Sequence, residues 1–501
     1  MGEDWNDRDV MKMESTGQPV LEKQLARLLA VFGLALFVWM TLWSYVNTTA
    51  YFTPDIMAMV WLLVAGGVVA GIGYGCRGVH GKVYVTLLLV VTLVPRLVWV
   101  SVIDTAPISD FYDMHAGALQ AADGDFTFAS NDYFTRWIYQ IGFTLYEALV
   151  IQLFGSSLLA LKLFNVLFQA GTAVIVWKLA SSAFDERSGR AAGLLYAVYV
   201  PNIIMCSVLT NQHISVFLFM LGLWVLLRRR LAGRLDWLWV GLCFAAGNFM
   251  RPLGSFFIVG AIVFLILFEL IPRIRERRRP AALALSCVLL VAAYGLVQQA
   301  VSLTLVQTGV LPQKLSNPEP YWKFMVGLNP ESNGGWSQAD TDYVLQYPIG
   351  EERNQAEREL MNRRLQDKGA VAALFVSKAK AMWGAEDSAP MWSLPNIDRP
   401  YLYSKLVQTE RIQYLLLALF GLAAMGICVV KGMSAEACLW LLLLLGYAAL
   451  HLVIEVQTRY RFDIFPCVFI LQSMSVKVLL DSIERFRHGK RQKRGRAERP
   501  T

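Results

Sequence analysis

Two carboxylates follow directly after an apolar stretch that is long enough to cross a lipid bilayer. The stretch is 83–103, and Asp104 and Asp110 come next. Ser109 is a residue type that begins helices, so we expect Asp110 in the first turn of a helix. The turns above it would carry Tyr112, Asp113 and His115. A carboxylate in this position could serve as a catalytic base, or it could only complement the helix dipole.

Basic residues near the outer ends of the apolar stretches, including 83–103, are a second group of candidates, because a charge at the membrane needs a reason. The group consists of Arg96, Lys162, Arg251, Arg459 and Arg461, with Tyr460 between the last two. Each cation alone could be an anchor whose long side chain reaches the interface. Together they place positive charge and carboxylates on one membrane face. That combination suits an anionic lipid phosphate beside an acid or a base.

The composition is that of a helical membrane protein with many spans. Of 501 residues, 56% are hydrophobic and only 17% are charged, and the mean hydropathy is +0.44. Apolar stretches of about 20 residues recur along the chain. The net charge of +8 does not indicate nucleic-acid binding, because most Lys and Arg stand in short clusters between apolar stretches, where they orient the spans.

The residue types give little reason to expect a metal or a disulfide framework. The seven Cys lie almost entirely within apolar stretches. Asp110, Asp113 and His115 could hold a divalent ion, but their spacing fits adjacent helical turns only loosely. No glycine-rich nucleotide motif is present either. We therefore expect neither a cofactor nor a metal.

We predict about twelve transmembrane helices, with both termini in the cytoplasm. The expected spans are 28–46, 56–75, 83–103, 157–181, 190–208, 214–227, 237–250, 252–271, 281–306, 412–430, 435–454 and 462–480. The stretch 136–154 carries Glu147, and a charge at the bilayer centre costs roughly 2.5 to 3.5 kcal/mol. If it crossed, the Arg-rich loops at 228–234 and 271–279 would both lie outside, against the positive-inside rule. We therefore place it along the outer interface as an amphipathic helix.

This topology divides the chain into six parts. They are a cytoplasmic tail (1–24), two extra N-terminal transmembrane helices (25–82), a membrane core (83–306) with a first outer loop (104–156), a mixed extracytoplasmic insert (307–411), C-terminal transmembrane helices (412–481) and a basic cytoplasmic tail (482–501). The tail could bind anionic lipid, or it could only fix the topology.

The order of several short motifs resembles that of a known enzyme family. The motifs are PISDFYDMHAGAL in the first outer loop, LKLFN at the start of a span, YVPNIIMCSVLTNQH, GNFMRP and the late EVQTRYRFDIFP. In this order they resemble membrane glycosyltransferases of the C-type fold. The resemblance is strongest to family 39, the relatives of protein O-mannosyltransferases and of the lipid A aminoarabinose transferase, and it covers about 83–480.

The resemblance implies a polyprenyl-phosphate-linked sugar as donor and an acceptor outside the membrane, namely a cell-envelope glycan, a glycolipid or a protein. Asp110 matches the acidic residue of the family's first outer loop, and Asp104 is its rival. The positions expected near the lipid phosphate are Arg251, Arg459, Arg461 and Lys162. Further substrate contacts are expected from Tyr112, Asp113, His115, Arg96 and Tyr460. The expected location is a bacterial plasma membrane.

A transporter or flippase for lipid-linked saccharides, or a polymerase that binds such lipids, is the alternative. Transporters tend to have interrupted spans in pairs, with polar groups near the bilayer midplane. In this sequence the charges concentrate at one membrane face and the middles of the spans are largely apolar. The pattern therefore favours an enzyme.

Overall fold

The computed structural model describes residues 20–53, 56–76, 78–276 and 280–497. Within these ranges the chain forms α-helices, a few short 3-10 segments and one π-helical turn, and no strand. The prediction of an all-helical membrane protein with many spans is therefore confirmed.

The helices follow one another in four groups. The N-terminal group is α1 (Val20–Thr49), α2 (Ile56–Cys76) and α3 (Gly81–Val102). The first loop holds α4 (Asp110–Ala122), α5 (Asp132–Arg136) and α6 (Ile141–Phe154). The next group is α7 (Leu158–Ala183), α8 (Glu186–Val198), α9 (Val200–Ile204), α10 (Gln212–Arg229), α11 (Asp236–Met250), α12 (Gly254–Leu265), α13 (Ile271–Arg275) and α14 (Ala281–Gln307). The insert and the last membrane helices are α15 (Trp322–Gly327), α16 (Gln338–Val344), α17 (Glu351–Arg364), α18 (Lys368–Gly384), α19 (Ala389–Ser393), α20 (Pro400–Lys431), α21 (Ala435–Val453) and α22 (Arg461–Ala497).

Nine helices in the described ranges are long and apolar enough to cross a membrane, and the bent pair of α8 and α9 would make a tenth. The span Gly254–Arg275 runs through α12, the π-helical turn and α13. The apolar helices Ile56–Val69 and Ile138–Phe154 are shorter. The chain is thus a multi-pass membrane protein, and the count of about twelve spans stays a prediction.

The break between α8 and α9 is caused by Pro201. A proline has no N–H, and its ring clashes with the carbonyl four residues earlier, here that of Ala197. The two helices meet at 58°, and the Ala197 carbonyl accepts a hydrogen bond from Arg96 Nη1 at 2.7 Å. The Gln413 side chain bridges the break, donating to a carbonyl on one side at 2.9 Å and accepting from an N–H on the other at 2.8 Å. Polar side chains therefore replace the backbone bonds that the proline removes.

Ion pairs tie the helices together at the end of the bundle remote from the insert. Arg230, just after α10, pairs with Glu269 and with Glu436, and Lys477 pairs with Asp185 at 2.6 Å. The 18 residues of α10 span roughly 27 Å. Its N-terminal end contacts the start of α22, on the side of the bundle that carries the insert. The loop after α10 and the insert therefore lie at opposite ends of the bundle.

The first loop packs as a helical layer on the end that carries the insert. Glu147 of α6 is fully buried, and its Oε2 lies 3.2 Å from His115 Nδ1 of α4. The charge that argued against a span at 136–154 therefore has a partner on a neighbouring loop helix. Gly142 has no room for a Cβ, because the carbonyl oxygen of Phe249 would lie 1.7 Å away, so α6 packs closely on α11. The interfacial position of this helix stays a prediction.

Buried charges join the insert to the first loop and to the membrane helices. Glu319 accepts three hydrogen bonds from Arg136 of the first loop, at 2.9, 3.1 and 2.8 Å, and one from Arg353 at 2.5 Å. Lys378 donates to three backbone carbonyls, two of which belong to the C-terminal end of α21. The insert is therefore held on two sides.

The opposite placement of the α10 loop and the insert gives a labelling test of the predicted orientation. Arg229→Cys, at a 63% exposed side chain, should resist an impermeant thiol reagent in intact cells. Asp398→Cys, at an exposed position in the insert, should react. The wild-type chain is the background control, since six of its seven Cys are buried. Labelling of the first variant but not of the second would contradict the predicted orientation and support the opposite one. Arg277, the corresponding position in the second Arg-rich loop, lies outside the described residues.

A buried carboxyl in the insert should make stability depend on pH. Burial, and then the charge of Glu319, raise the pKa of Glu357 to about 8. Between its ordinary pKa of 4.5 and about 8 the unfolded chain ionises here while the folded chain keeps the proton, so rising pH destabilises the fold. Glu357→Gln cannot ionise here, so the melting temperature of the variant minus that of wild type should increase with pH. The increase between about pH 5 and about pH 8 should be on the order of 2 °C. Glu352→Gln, at an exposed position on the same helix, should show no such trend; a constant difference for Glu357→Gln would contradict the expectation.

Candidate functional site

Tyr460 lies at the centre of a group of charged side chains where the first loop, the insert and α22 meet. It ends the 3-10 helix Thr458–Tyr460, which directly precedes α22. The guanidinium carbon of Arg251 lies 5.5 Å from the centre of its ring, and that of Arg459 lies 5.8 Å away. The Tyr460 hydroxyl donates to Glu455 at 3.2 Å. Two of the predicted cations therefore share one aromatic ring.

Arg459 is buried among aromatic rings without a carboxylate. Its guanidinium carbon lies 4.5 Å from the ring centre of Trp392 and 5.1 Å from that of Phe111. The residue is only 8% exposed, its Nε has no hydrogen-bond partner, and it forms no ion pair with any described residue. Phe111 directly follows Asp110, so this contact holds the start of α4 against the guanidinium.

Arg251 is held by a carboxylate that the sequence-based site did not include. Its Nη2 lies 3.0 Å from Asp463 Oδ2, and its Nη1 donates to Asn211 at 3.1 Å. Asp463 also accepts hydrogen bonds from Gln212 at 3.0 Å and from Tyr447 at 3.2 Å. A signal was present in EVQTRYRFDIFP, since an Asp inside an apolar stretch needs a partner.

Asp110 opens α4 beside this group. Its side chain is half-buried and forms no hydrogen bond or ion pair within the part of the chain that the structure describes. The predicted cap by Ser109 is wrong, because this residue has φ 54° and its side chain makes no cap hydrogen bond, whereas capping needs an extended backbone. Burial, and then the charge of Asp110, raise the pKa of Asp113.

Two tyrosines of the first loop share the electrostatic environment of Asp110. Burial raises the pKa of Tyr133, and the charge of Asp110 adds to this rise, while Arg459 opposes it. Burial raises the pKa of Tyr139 to about 12, where Lys323 opposes the rise and Asp110 adds to it. Because such effects need proximity, Asp110 lies near both tyrosines.

Lys323 of the insert is a further cation that the sequence did not reveal. Its ammonium pairs with Glu455, whose other oxygen accepts from Gln457 at 2.9 Å. The backbone N–H of Glu455 donates to the Lys323 carbonyl at 2.9 Å. Lys323 Nζ lies 5.9 Å from the ring centre of Trp137. The two paired residues stand 132 positions apart, so no local spacing could have connected them.

Lys162 and Asp104 form a pair of their own, with Nζ and Oδ1 3.6 Å apart. The Lys162 side chain is 3% exposed and that of Asp104 is 97% exposed. The pair joins the end of α3 to the start of α7. Asp104 is therefore the partner of a buried cation, whereas Asp110 has none.

The side chains of four predicted site residues make no contact with the Tyr460 side chain. Arg461 is fully buried, pairs with Asp387 at 3.4 Å and donates to two backbone carbonyls, because residues two apart on a helical backbone face different sides. Arg96 is fully buried at the α8–α9 break, and the His115 side chain contacts a carboxylate of α6. Tyr112 is 61% exposed. Among the described residues no three His, Cys, Asp or Glu side chains are gathered as a metal would require.

The geometry thus holds an unpaired guanidinium and a carboxylate-bound guanidinium around one tyrosine. The free carboxylate of Asp110 directly precedes Phe111, whose ring lies against the unpaired guanidinium. An unpaired buried cation is costly unless an anion compensates it. The arrangement can bind a phosphate at the arginines and accept a proton at Asp110.

Part of the chain is similar in sequence to a known protein family. Residues 141–296 match the model of the family described as dolichyl-phosphate-mannose-protein mannosyltransferase. The match includes Lys162 and Arg251 and leaves Asp110 and Arg459 outside it. No protein of curated function matches the chain in sequence.

Two solved structures are similar at low sequence identity. One is the archaeal oligosaccharyltransferase AglB from Archaeoglobus fulgidus, in complex with an inhibitory peptide and a dolichol-phosphate: TM-score 0.47, 11% identity, covering 82% of this chain and 51% of that one. The other is ArnT from Cupriavidus metallidurans, bound to undecaprenyl phosphate, with a TM-score of 0.31 and 13% identity. The similarity covers 79% of this chain and 78% of that one. The chain thus spans about half the length of the AglB chain.

The resemblance to membrane glycosyltransferases of the C-type is confirmed, since residues 141–296 match the family model described as dolichyl-phosphate-mannose-protein mannosyltransferase.

Proposed function

We propose that this chain is a membrane glycosyltransferase that moves a sugar from a polyprenyl-phosphate donor to an acceptor on the extracytoplasmic face. The observation that carries the proposal is the buried guanidinium of Arg459, which has no carboxylate partner and lies against the start of α4, where Asp110 is free. The family that matches residues 141–296 is named for a lipid-phosphate sugar, which supports the same donor class.

The two arginines have different roles in holding the donor phosphate. Arg251 is already compensated by Asp463, so it contributes directed N–H groups and little net charge. Arg459 contributes the uncompensated positive charge. Because it is surrounded by rings instead of water, its attraction for an anion is weakly screened. Lys162 and Arg461, which pair with carboxylates elsewhere, are left out of the clamp.

The transfer needs one proton acceptor and one stabilised leaving group. The oxygen of an acceptor hydroxyl attacks the anomeric carbon, and its proton passes to the Asp110 carboxylate. The bond from that carbon to the phosphate oxygen breaks, and its electron pair leaves with the lipid phosphate. The negative charge that develops there is stabilised by Arg459 and Arg251. The residues themselves require no further co-reactant.

The distribution of charge supports the extracytoplasmic side. The cluster around Tyr460 lies at the end of the bundle opposite the loop after α10, which carries RRRLAGR. The positive-inside rule places that loop in the cytoplasm and the site outside. The acceptor is accordingly an envelope glycan, a glycolipid or a protein.

Replacement of Arg459 should weaken donor binding. Arg459→Ala removes an uncompensated charge that hydrogen-bonds an anion, so Kd for decaprenyl phosphate should rise by about ten- to a hundredfold. Arg358→Ala is the matched control, since that guanidinium also lies over a tyrosine ring, at 5.2 Å, but on the insert surface. Calorimetry in detergent measures both. An unchanged Kd for a folded Arg459→Ala protein would remove the basis of the proposal.

Replacement of Asp110 should stop turnover but not binding. Asp110→Asn keeps the size of the side chain and removes its basicity, so kcat should fall by roughly 10² to 10⁴ while the Kd of the donor stays within about threefold. Asp123→Asn, at the exposed C-terminal end of the same helix, should leave turnover unchanged. Transfer of labelled sugar is the measurement. A loss of turnover in Asp104→Asn with normal turnover in Asp110→Asn would assign the base to Asp104 instead. If the wild-type protein bound the donor but transferred no sugar, a carrier would be favoured over an enzyme.

A further inference from the structure

The hydroxyl end of Tyr460 faces polar groups that the phosphate clamp does not use. The Tyr139 hydroxyl has no hydrogen bond with any described residue, although its ring is only partly exposed. The Lys323 side chain is 40% exposed, and its ammonium donates to Glu455 alone among the described residues. An ammonium has three N–H donors, so two remain. Both residues therefore carry hydrogen-bonding capacity that the protein leaves unused.

These groups belong to one continuous surface, which we call the Tyr139 wall and define as Trp137, Tyr139, Lys323 and Glu455. The rings of Trp137 and Tyr139 lie 6.2 Å apart, and Lys323 Nζ lies 5.9 Å from the Trp137 ring. Glu455 joins the wall to Tyr460 by accepting a hydrogen bond from the Tyr460 hydroxyl at 3.2 Å. The first loop, the insert and the segment before α22 each contribute to it.

Charge separates the Tyr139 wall from the phosphate clamp. Lys323 is neutralised by Glu455, so the wall has no net charge to offer an anion. Arg459, on the ring of Tyr460, is not neutralised. A phosphate is therefore drawn to the arginine side of Tyr460, which leaves the hydroxyl side for a group bonded to that phosphate.

The chemistry of the Tyr139 wall is that of a surface for neutral hydroxyl groups. A phenol can donate and accept, and an ammonium donates, so both match the O–H groups of a sugar. The Trp137 ring adds an apolar face for the C–H side of a sugar ring. A few directed polar groups among aromatic rings are what fix the orientation of a small ligand.

We infer that Tyr139 and Lys323 hydrogen-bond the hydroxyl groups of a neutral sugar carried by the lipid phosphate, so that the Tyr139 wall determines which sugar is transferred. This inference rests on the proposed function, because it assumes that the phosphate lies at Arg459. It assigns to the insert a direct part in donor selection.

The test compares lipids with and without the sugar. Wild-type protein and Tyr139→Phe are titrated with decaprenyl phosphate and with a panel of decaprenyl phosphates that carry neutral hexoses or pentoses. At least one glycosylated lipid should bind wild type more tightly than decaprenyl phosphate does. Tyr139→Phe should lose about three- to tenfold in affinity for that lipid and nothing for decaprenyl phosphate, since only one hydrogen bond is removed. Tyr401→Phe, at a 76% exposed ring, is the matched control.

A second variant keeps the test independent of folding problems. Lys323→Met combined with Glu455→Gln removes both charges and leaves no unpaired ion, so it should show the same selective loss with a melting temperature close to that of wild type. Equal affinity of wild type for all lipids, or normal binding of the glycosylated lipid by both variants, overturns the inference and leaves the phosphate clamp intact. Failure of wild type to bind decaprenyl phosphate overturns the proposed function itself.

Discussion

The uncompensated guanidinium of Arg459 is the constraint on which the site depends. Removing a cation from water costs several kcal/mol, and here no carboxylate among the described residues offsets that cost. Three aromatic rings, those of Trp392, Phe111 and Tyr460, offset part of it through cation–π contact. The rest remains available to an anion. In the proposed function the donor phosphate supplies this missing compensation.

The other buried arginines near the site show what the chain does when it only needs structure. Arg251 pairs with Asp463, Arg461 with Asp387 and Arg411 with Glu410. Arg411 and Arg461 also lie 4.8 Å from the ring of Tyr414. Each of these charges is compensated within the protein. Arg459 differs from these three arginines because it has no carboxylate partner. Arg96 also has none, but its Nη1 donates to two backbone carbonyls.

Three distant parts of the chain must be in register for the site to exist. Phe111 brings the first loop to Arg459, Trp392 brings the insert, and the 3-10 turn before α22 carries the arginine itself. The insert is fixed by Glu319 on the first loop side and by Lys378 at the end of α21. Changes that loosen either fastening would act on the site without touching a ligand, through the positions of the rings.

The sequence by itself determined the class of the protein, a helical membrane protein with many spans. Hydropathy and positive charge can be summed along the chain, so the helical membrane fold and the candidates Asp110, Arg251 and Arg459 were accessible from it. Only the tertiary structure decided that Arg461 faces Asp387 and that Lys323 meets Glu455. The physical reason is the short range of ion pairs and hydrogen bonds, which act over a few ångströms in three dimensions. Residues that are close in sequence can point to opposite sides. Two residues that stand 132 positions apart can touch.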